Sequence, residues 1–203
     1  KDYYKQHGTT LKGMMDNPRI CPGYYAPIIV SEMGKRRLLP MRYRVKPEGV
    51  EKEVPTKYNL FNARLDSLQI RKTWNRLFMR NHGIIVFEGF FEWVNDHVAG
   101  GKKVVSFKPE NREVMWAPVL YDIWCDPSMD LESREKSKVI SFAVITTEPP
   151  SEIIANGHDR CPVFLQKNLI DSWLNPQGKA SKQVYEILNS LEPAKYGCFD
   201  AVP

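Results

Sequence analysis

Nowhere in the 203 residues does an apolar run approach the roughly 18 to 20 residues that a membrane-spanning helix requires. The opening segment, Lys1 to Gly8, is polar rather than a secretory signal, so a soluble, intracellular protein is expected. Cysteine is scarce. The four present, Cys21, Cys125, Cys161 and Cys198, lie far apart, with no CxxC pair and no histidine at zinc-ligand spacing. Neither a disulfide framework nor a metal site is indicated, and buried or idle thiols are the simpler reading. A nucleotide-binding glycine loop and a GxSxG nucleophile elbow are also missing, so the usual kinase and hydrolase readings lack support and no cofactor is expected. No internal repeat or low-complexity tract interrupts the chain.

What is present suits one sizeable core. Hydrophobic residues make up 42% of the chain, and five Trp, nine Tyr and nine Phe run from Tyr3 to Phe199, so no stretch lacks large side chains. The formal charge of +5 and a pI near 9.0 hint weakly at nucleic acid. In Met41-Arg42-Tyr43-Arg44-Val45-Lys46, strand alternation places three cations on one face and three apolar side chains on the other. Such a strip suits a phosphate backbone; an edge strand with a solvated outer face reads the same way.

Pro18, Pro22, Pro27 and several glycines in the first forty residues predict an irregular entry, with a short strand around Ile28 to Val30. From Asp66 onward Ile70, Trp74, Leu77 and Phe78 recur at helical spacing, with Arg71, Lys72, Arg76 and Arg80 on the remaining surface. Beyond Gly83 the texture is that of a sheet: Ile84 to Trp93, Lys103 to Phe107, Val114 to Trp124 and Val139 to Thr147, with Gly100-Gly101 at a hairpin tip. Cys125 to Lys138 reads as an exposed loop. Leu165 to Leu174 and Val184 to Leu191 carry helical stripes separated by Pro176 and Gly178. The expected fold is therefore α+β: a single domain over residues 1–203, with a mixed, mainly antiparallel, barrel-like sheet and peripheral helices.

Three segments set polar residues beside apolar ones. In Gly89-Phe90-Phe91-Glu92-Trp93 the glutamate lies in an apolar strand, where burial raises a carboxyl pKa and suits it to acid catalysis; a carboxylate at a strand end, facing water or an arginine, is equally consistent. Gly89 suggests a bulge that re-aims it. In His158-Asp159-Arg160-Cys161-Pro162 the histidine falls in a turn between a short helix from Ser151 and a strand at Pro162; it suits proton exchange near neutral pH or a structural hydrogen bond, and the latter is the default for His7, His82 and His97. Arg160 offers a fork for phosphate or for a local ion pair. Asn62 and Arg64 point the same way from an extended backbone and suit substrate positioning, while a helix cap by Asn62 is the plain alternative.

In this order, Asn62-Ala63-Arg64, Gly89 to Trp93, Ile145-Thr146-Thr147-Glu148 and His158 to Val163 resemble the signature of the SOS-response-associated peptidase family, and looser similarity reaches Asp2-Tyr3 and Ala201-Val202-Pro203. The resemblance implies that Asn62 helps to hold an amino-terminal residue, that Glu92 and His158 assist proton transfer, and that Arg64 and Arg160 grip DNA phosphates, with Arg42 and Arg44 as further DNA-binding candidates. Family members begin Met-Cys-Gly-Arg. Self-removal of methionine leaves a cysteine whose amine and thiol trap the aldehyde of an abasic site in single-stranded DNA as a thiazolidine. The sequence opens at Lys1, in a segment that resembles the family a little after that start, and the nucleophilic cysteine is expected ahead of it. Cys161 stands where the family has methionine and is expected to pack. Pro22 to Tyr25 and Leu39 to Pro47 depart from the family pattern, which bears on strand-stacking contacts.

The expected partner is single-stranded DNA bearing abasic sites, with no membrane and no obligate protein partner. Two alternatives stand beside covalent trapping: a reversible DNA-binding module, marked by salt-sensitive binding, and a cysteine hydrolase built on Cys161 near His158.

Overall fold

The computed structural model describes residues 19–96, 98–111, 114–189 and 195–200. His7, His97, Leu191 and the terminal segments compared above, Asp2-Tyr3 and Ala201 to Pro203, lie outside them. The first ordered hairpin joins β1 (Tyr25–Glu32) to β2 (Lys35–Tyr43). Glu32 pairs with Lys35 across Met33-Gly34, and both turn residues have positive φ, 51° and 73°. This two-residue turn matches the right-handed twist of the strands, and Gly34 supplies the conformation without a Cβ clash.

Next to β1 runs β4 (His82–Phe87), then β7 (Met115–Trp124), then β8 (Val139–Thr147), each antiparallel to its neighbour. The circuit closes because β2 returns to lie parallel to β8, pairing Arg42 with Ser141 and Tyr43 with Phe142. Farther along the same edge of β8 sits β3 (Asn62–Arg64), also parallel, and β9 (Cys161–Pro162) joins the end of the opposite edge. The closed circuit is barrel-like, filled by Ile28, Val30, Met41, Ile85, Val119, Phe142 and Val144. Burying a side chain such as Phe142, which is fully enclosed, contributes roughly 1.5 to 3 kcal/mol.

Among the described residues five short helices flank the strands: α1 (Lys72–Leu77), α2 (Leu131–Lys136), α3 (Ser151–Ala155), α4 (Ile170–Leu174) and α5 (Ser181–Asn189). Residues from α1, α4 and α5 join a core outside the barrel, including Trp74, Leu77, Phe78, Trp173, Val184 and Leu188. His82 clamps it: its ring stacks on Trp173 at 3.7 Å, and its nitrogens lie 2.7 Å from the Trp173 carbonyl and 2.5 Å from that of Phe78. Burial holds its pKa below the ordinary value. A second sheet, ordered β10 (Tyr196–Asp200), β6 (Lys102–Pro109), β5 (Phe90–Asn95), covers a third cluster with Phe90, Val105, Phe107, Ile153 and Tyr196. Phe87 and Phe164 pack against both this cluster and the barrel interior.

The α+β architecture follows the sequence reading, with several local corrections. The strand at Ile28 to Val30 extends over Tyr25–Glu32. The alternation through Lys46 stops at Tyr43, because Arg44 takes φ 107°, a left-handed conformation costly for a side-chain-bearing residue. The helix read from Asp66 divides into a 3-10 turn, Leu65–Ser67, and α1, leaving Ile70 exposed. The Leu165 to Leu174 stripe likewise divides into a 3-10 turn, Lys167–Leu169, and α4. Inside the expected loop 125–138 stands α2, capped by the Asp130 carboxylate, which accepts from the backbone N–H groups of Glu132 and Ser133. Asn62 belongs to a strand, not to a helix cap.

Ile84 to Trp93 is two strands in different sheets, and Gly89 marks the change. A Cβ there would lie 2.7 Å from the Phe107 carbonyl and 2.8 Å from Cγ of Lys108, so the glycine serves close backbone approach rather than a bulge. Gly89→Ala is expected to lower stability by about 1 to 3 kcal/mol, measured by urea unfolding. An unchanged midpoint would show that β5 shifts freely.

Candidate functional site

The candidate site lies where the small sheet meets the barrel, with Phe87 and Phe164 packed against both. Along β8, Phe142, Val144 and Thr146 share one face, and in parallel register Asn62 stands beside Val144 and Arg64 beside Thr146. Tyr43, paired with Phe142, stacks on it with ring centroids 5.0 Å apart. The Tyr43 hydroxyl donates to Oδ1 of Asn62 at 3.2 Å. Burial first, then the charges of Glu92 and Cys21, raise the Tyr43 pKa, which keeps the phenol protonated and places it in the electrostatic neighbourhood of Glu92.

From the other side, β5 alternates. Phe90, Glu92 and Val94 turn toward the packed face, while Phe91 and Trp93 turn outward. Past α3 the chain turns back, with the His158 N–H donating to the Ile153 carbonyl at 3.3 Å, and delivers the His158 ring to Glu92. Nε2 of His158 lies 2.7 Å from Oε2 of Glu92, with the side chains 21% and 25% exposed. Nδ1 lies 3.2 Å from the Arg160 carbonyl. Burial raises the Glu92 pKa; His158 opposes the shift and Asp159 adds to it. Desolvation prevails over the pairing, and the result is a half-buried acid and base in direct contact, able to give and take one proton within the pocket.

Thr146 adds a feature that its place in Ile145-Thr146-Thr147 does not by itself disclose: its buried hydroxyl has no hydrogen-bond partner among the described residues. A buried unsatisfied hydroxyl costs about 1 to 3 kcal/mol, so it stands as an unused polar group beside Arg64 in the register. Tyr43 was hidden in the sequence by its reading as one apolar position of an alternating strand.

The four candidate arginines divide. Arg64 is exposed and paired with Asp66 at 2.6 Å, which holds the Asp66 carboxyl below its ordinary pKa, with lesser help from Arg160 and Arg71. Arg160 is half-buried and forms no ion pair among the described residues. Arg42 and Arg44 converge on one loop: Arg42 meets Glu53 at 2.6 Å, while Arg44 donates to the Val54 carbonyl and lies 3.8 Å from Glu53. Lys46 caps the Trp124 ring at 3.1 Å. The three cations thus hold internal partners instead of forming a solvated strip. Cys161 is buried, its thiol pushed up to about 12 by desolvation, with Sγ 3.9 Å from the Tyr196 hydroxyl. Burial and a raised pKa are the opposite of what a nucleophilic thiol requires, so the fold lends the cysteine hydrolase reading no support.

The outer face of the small sheet carries a row of aromatics. Phe91 pairs with Ser106, which pairs with Phe199; Trp93 stands two residues along, opposite Val104. Trp93 is 62% and Phe199 54% exposed. The Arg19 guanidinium lies 4.6 Å from the Phe91 ring, and Lys102 and Lys108 are exposed on the same face. Because β5 is an edge strand, only its thickness separates this face from Glu92.

A family model described as SOS response associated peptidase (SRAP) matches residues 4–201. The chain belongs to the SRAP family. Among curated relatives it is similar to the abasic site processing protein YoqW of Bacillus subtilis (strain 168), 24% identical over 174 residues, covering 85% of this chain and 73% of YoqW. It is also similar to an abasic site processing protein of Saccharomyces cerevisiae, 28% identical over 139 residues, covering 67% of this chain and 34% of the yeast protein. Crystal structures of a Bacteroides thetaiotaomicron protein (TM-score 0.68, 18% identity, covering 97% of this chain and 87% of that one) and of a Bordetella bronchiseptica protein (TM-score 0.66, 16% identity, 90% and 86%) share the fold. No helix among the described residues is long and apolar enough to cross a membrane.

Because burial raises the Glu92 pKa, its contribution to stability is full below the unfolded pKa and is lost as pH rises through the folded one. Glu92→Gln is therefore expected to melt higher than the parent at pH 8, with the difference closing by about pH 4, where the carboxyl is protonated in both states. Equal melting temperatures at pH 8 would show that contact with His158 fully offsets the burial.

Proposed function

We propose that this SRAP protein processes abasic sites in DNA, capturing the opened sugar covalently in single-stranded regions. The observation that carries the reading is the 2.7 Å contact between the half-buried Glu92 and His158, with the Tyr43 and Asn62 pair in the electrostatic neighbourhood of Glu92, in a family whose curated relatives carry the name abasic site processing protein. In the reaction, the α-amine of a cysteine exposed by self-removal of the initiator methionine adds to the aldehyde and forms a carbinolamine. Glu92, protonated, donates to the departing hydroxyl and one water leaves, giving an iminium; the cysteine thiol then adds to the iminium carbon, the ring nitrogen becomes neutral, and the thiol proton returns to the carboxylate and imidazole pair. Carboxylate and imidazole in contact let the proton given up by Glu92 be replaced from His158. An α-amine with a pKa of about 7.7 to 8 is partly neutral at cellular pH and outcompetes lysine as the nucleophile.

Arg64 and Arg160 are read as phosphate contacts beside the pocket, Arg160 being the better placed because it has no ion-pair partner among the described residues. Single-stranded DNA is favoured on two counts: its lesion need not be unstacked from a duplex, and its bases can stack on Phe91, Trp93 and Phe199 under the field of Arg19, Lys102 and Lys108.

The gene product expressed from its natural start codon, mixed with labelled single-stranded DNA bearing one abasic site, is expected to give a shifted band on a denaturing gel. The band should vanish when the chain is cut back to Lys1. A folded, correctly processed protein that gives no band would sink covalent capture and leave reversible, salt-sensitive DNA binding as the account. Trp93→Ala is expected to weaken single-strand binding by about 1 to 3 kcal/mol in anisotropy titrations at fixed salt, with little change in melting temperature; unchanged affinity would remove the aromatic face from the binding surface.

A further inference from the structure

Tyr43 is held more firmly than a residue serving only to fill space at the barrel mouth. Its ring stacks on Phe142, and Phe61 meets it edge-on at 5.9 Å. Its N–H donates to the Tyr24 carbonyl at 2.7 Å, and its carbonyl accepts from the Gly23 N–H at 2.6 Å. Immediately after it the chain turns away through the left-handed Arg44. Ring and backbone are therefore both fixed, and the hydroxyl donates to Oδ1 of Asn62 at 3.2 Å. Asn62 is itself tied at its backbone, where its N–H donates to Oδ1 of Asn59 at 3.1 Å and the strand pairs with Val144.

What this leaves open at Asn62 is the orientation of the amide about its last bond. The two ends of the group have nearly the same shape and opposite hydrogen-bonding character, so packing alone selects weakly between them. We propose that Tyr43 is a positioning residue: its hydroxyl claims Oδ1 of Asn62, which sets Nδ2 and its two N–H donors to face an oxygen acceptor entering the pocket. Protonation of the phenol is what allows it to donate to Oδ1, since a phenolate could only accept from the amide and would reverse the arrangement. The inference rests on the reading of Asn62 as a group that contacts the reacting partners, and it adds a residue whose effect passes through Asn62 rather than through substrate.

Tyr43→Phe keeps the ring and deletes only the donor. In single-turnover trapping by the gene product with its natural start, this variant is expected to react about tenfold more slowly, the worth of one well-placed hydrogen bond. Affinity for single-stranded DNA carrying a tetrahydrofuran abasic analogue, which has no aldehyde, should stay the same. Asn62→Ala should also be slow, and the double variant no slower than Asn62→Ala alone, because Tyr43 acts only through Asn62. Parental trapping by Tyr43→Phe, or losses that multiply in the double variant, would overturn the assignment. The side-chain amide resonances of Asn62 in a 15N correlation spectrum give a readout independent of trapping: they should move in Tyr43→Phe and stay in place in the exposed control Tyr58→Phe. Moved resonances in a protein that fails to trap would uphold the Tyr43 and Asn62 pairing while defeating covalent capture; unmoved resonances would defeat the pairing whatever the protein does to DNA.

Discussion

Strand β8 is the constraint on which the rest of the structure hangs. One of its edges is shared between β7 and β9, the other between β2 and β3, so a single nine-residue strand has four neighbours. Pairing with β2 closes the barrel, and pairing with β3 lays Asn62 and Arg64 beside Val144 and Thr146. The β9 pairing fixes Cys161 and Pro162, and with them the turn that carries His158. A shift of one residue along β8 would move every one of these side chains to the opposite face, and a filled barrel interior makes such a slip costly. The site is precise because its register belongs to the core.

Against that rigid wall the small sheet brings the half-buried carboxyl of Glu92. Glu92 lies on a strand whose alternate residues, Phe90 and Val94, are buried, so its carboxyl is drawn into the same apolar surroundings. Desolvation there raises its pKa even with an imidazole in contact. The same alternation turns Phe91 and Trp93 to the outside, so one strand presents a proton donor on one face and stacking surfaces on the other. The acid and the exposed aromatics are in this way separated by the thickness of β5 and held in a constant relation by its pairing with β6.

The residues that sequence reading placed best were those whose behaviour is local. Glu92 in an apolar strand, His158 in a turn after a short helix, Asn62 and Arg64 on an extended segment, the hairpin at Gly100-Gly101 and the structural histidine at position 82 all follow from neighbours in the chain. Alternation, which assumes a continuous strand, puts the arginines at 42 and 44 on one outward strip, suited to a phosphate backbone or to solvent. The left-handed turn at Arg44 breaks it, and a distant loop supplies Glu53 and Val54 to absorb the charges. Ile70 misled in the same manner, its helical spacing being real while the helix itself starts only at Lys72.

By itself, then, the sequence determined the α+β class, the family resemblance and the three polar segments, since alternation, turn chemistry and motif order are properties of short stretches. Tertiary structure decided that the segments meet, that Glu92 touches His158, that Tyr43 faces Asn62 and that Thr146 is left without a partner among the described residues. Those outcomes depend on which strands lie on either side of β8, and residues 19 to 82 positions apart come together through pairing that no local pattern encodes.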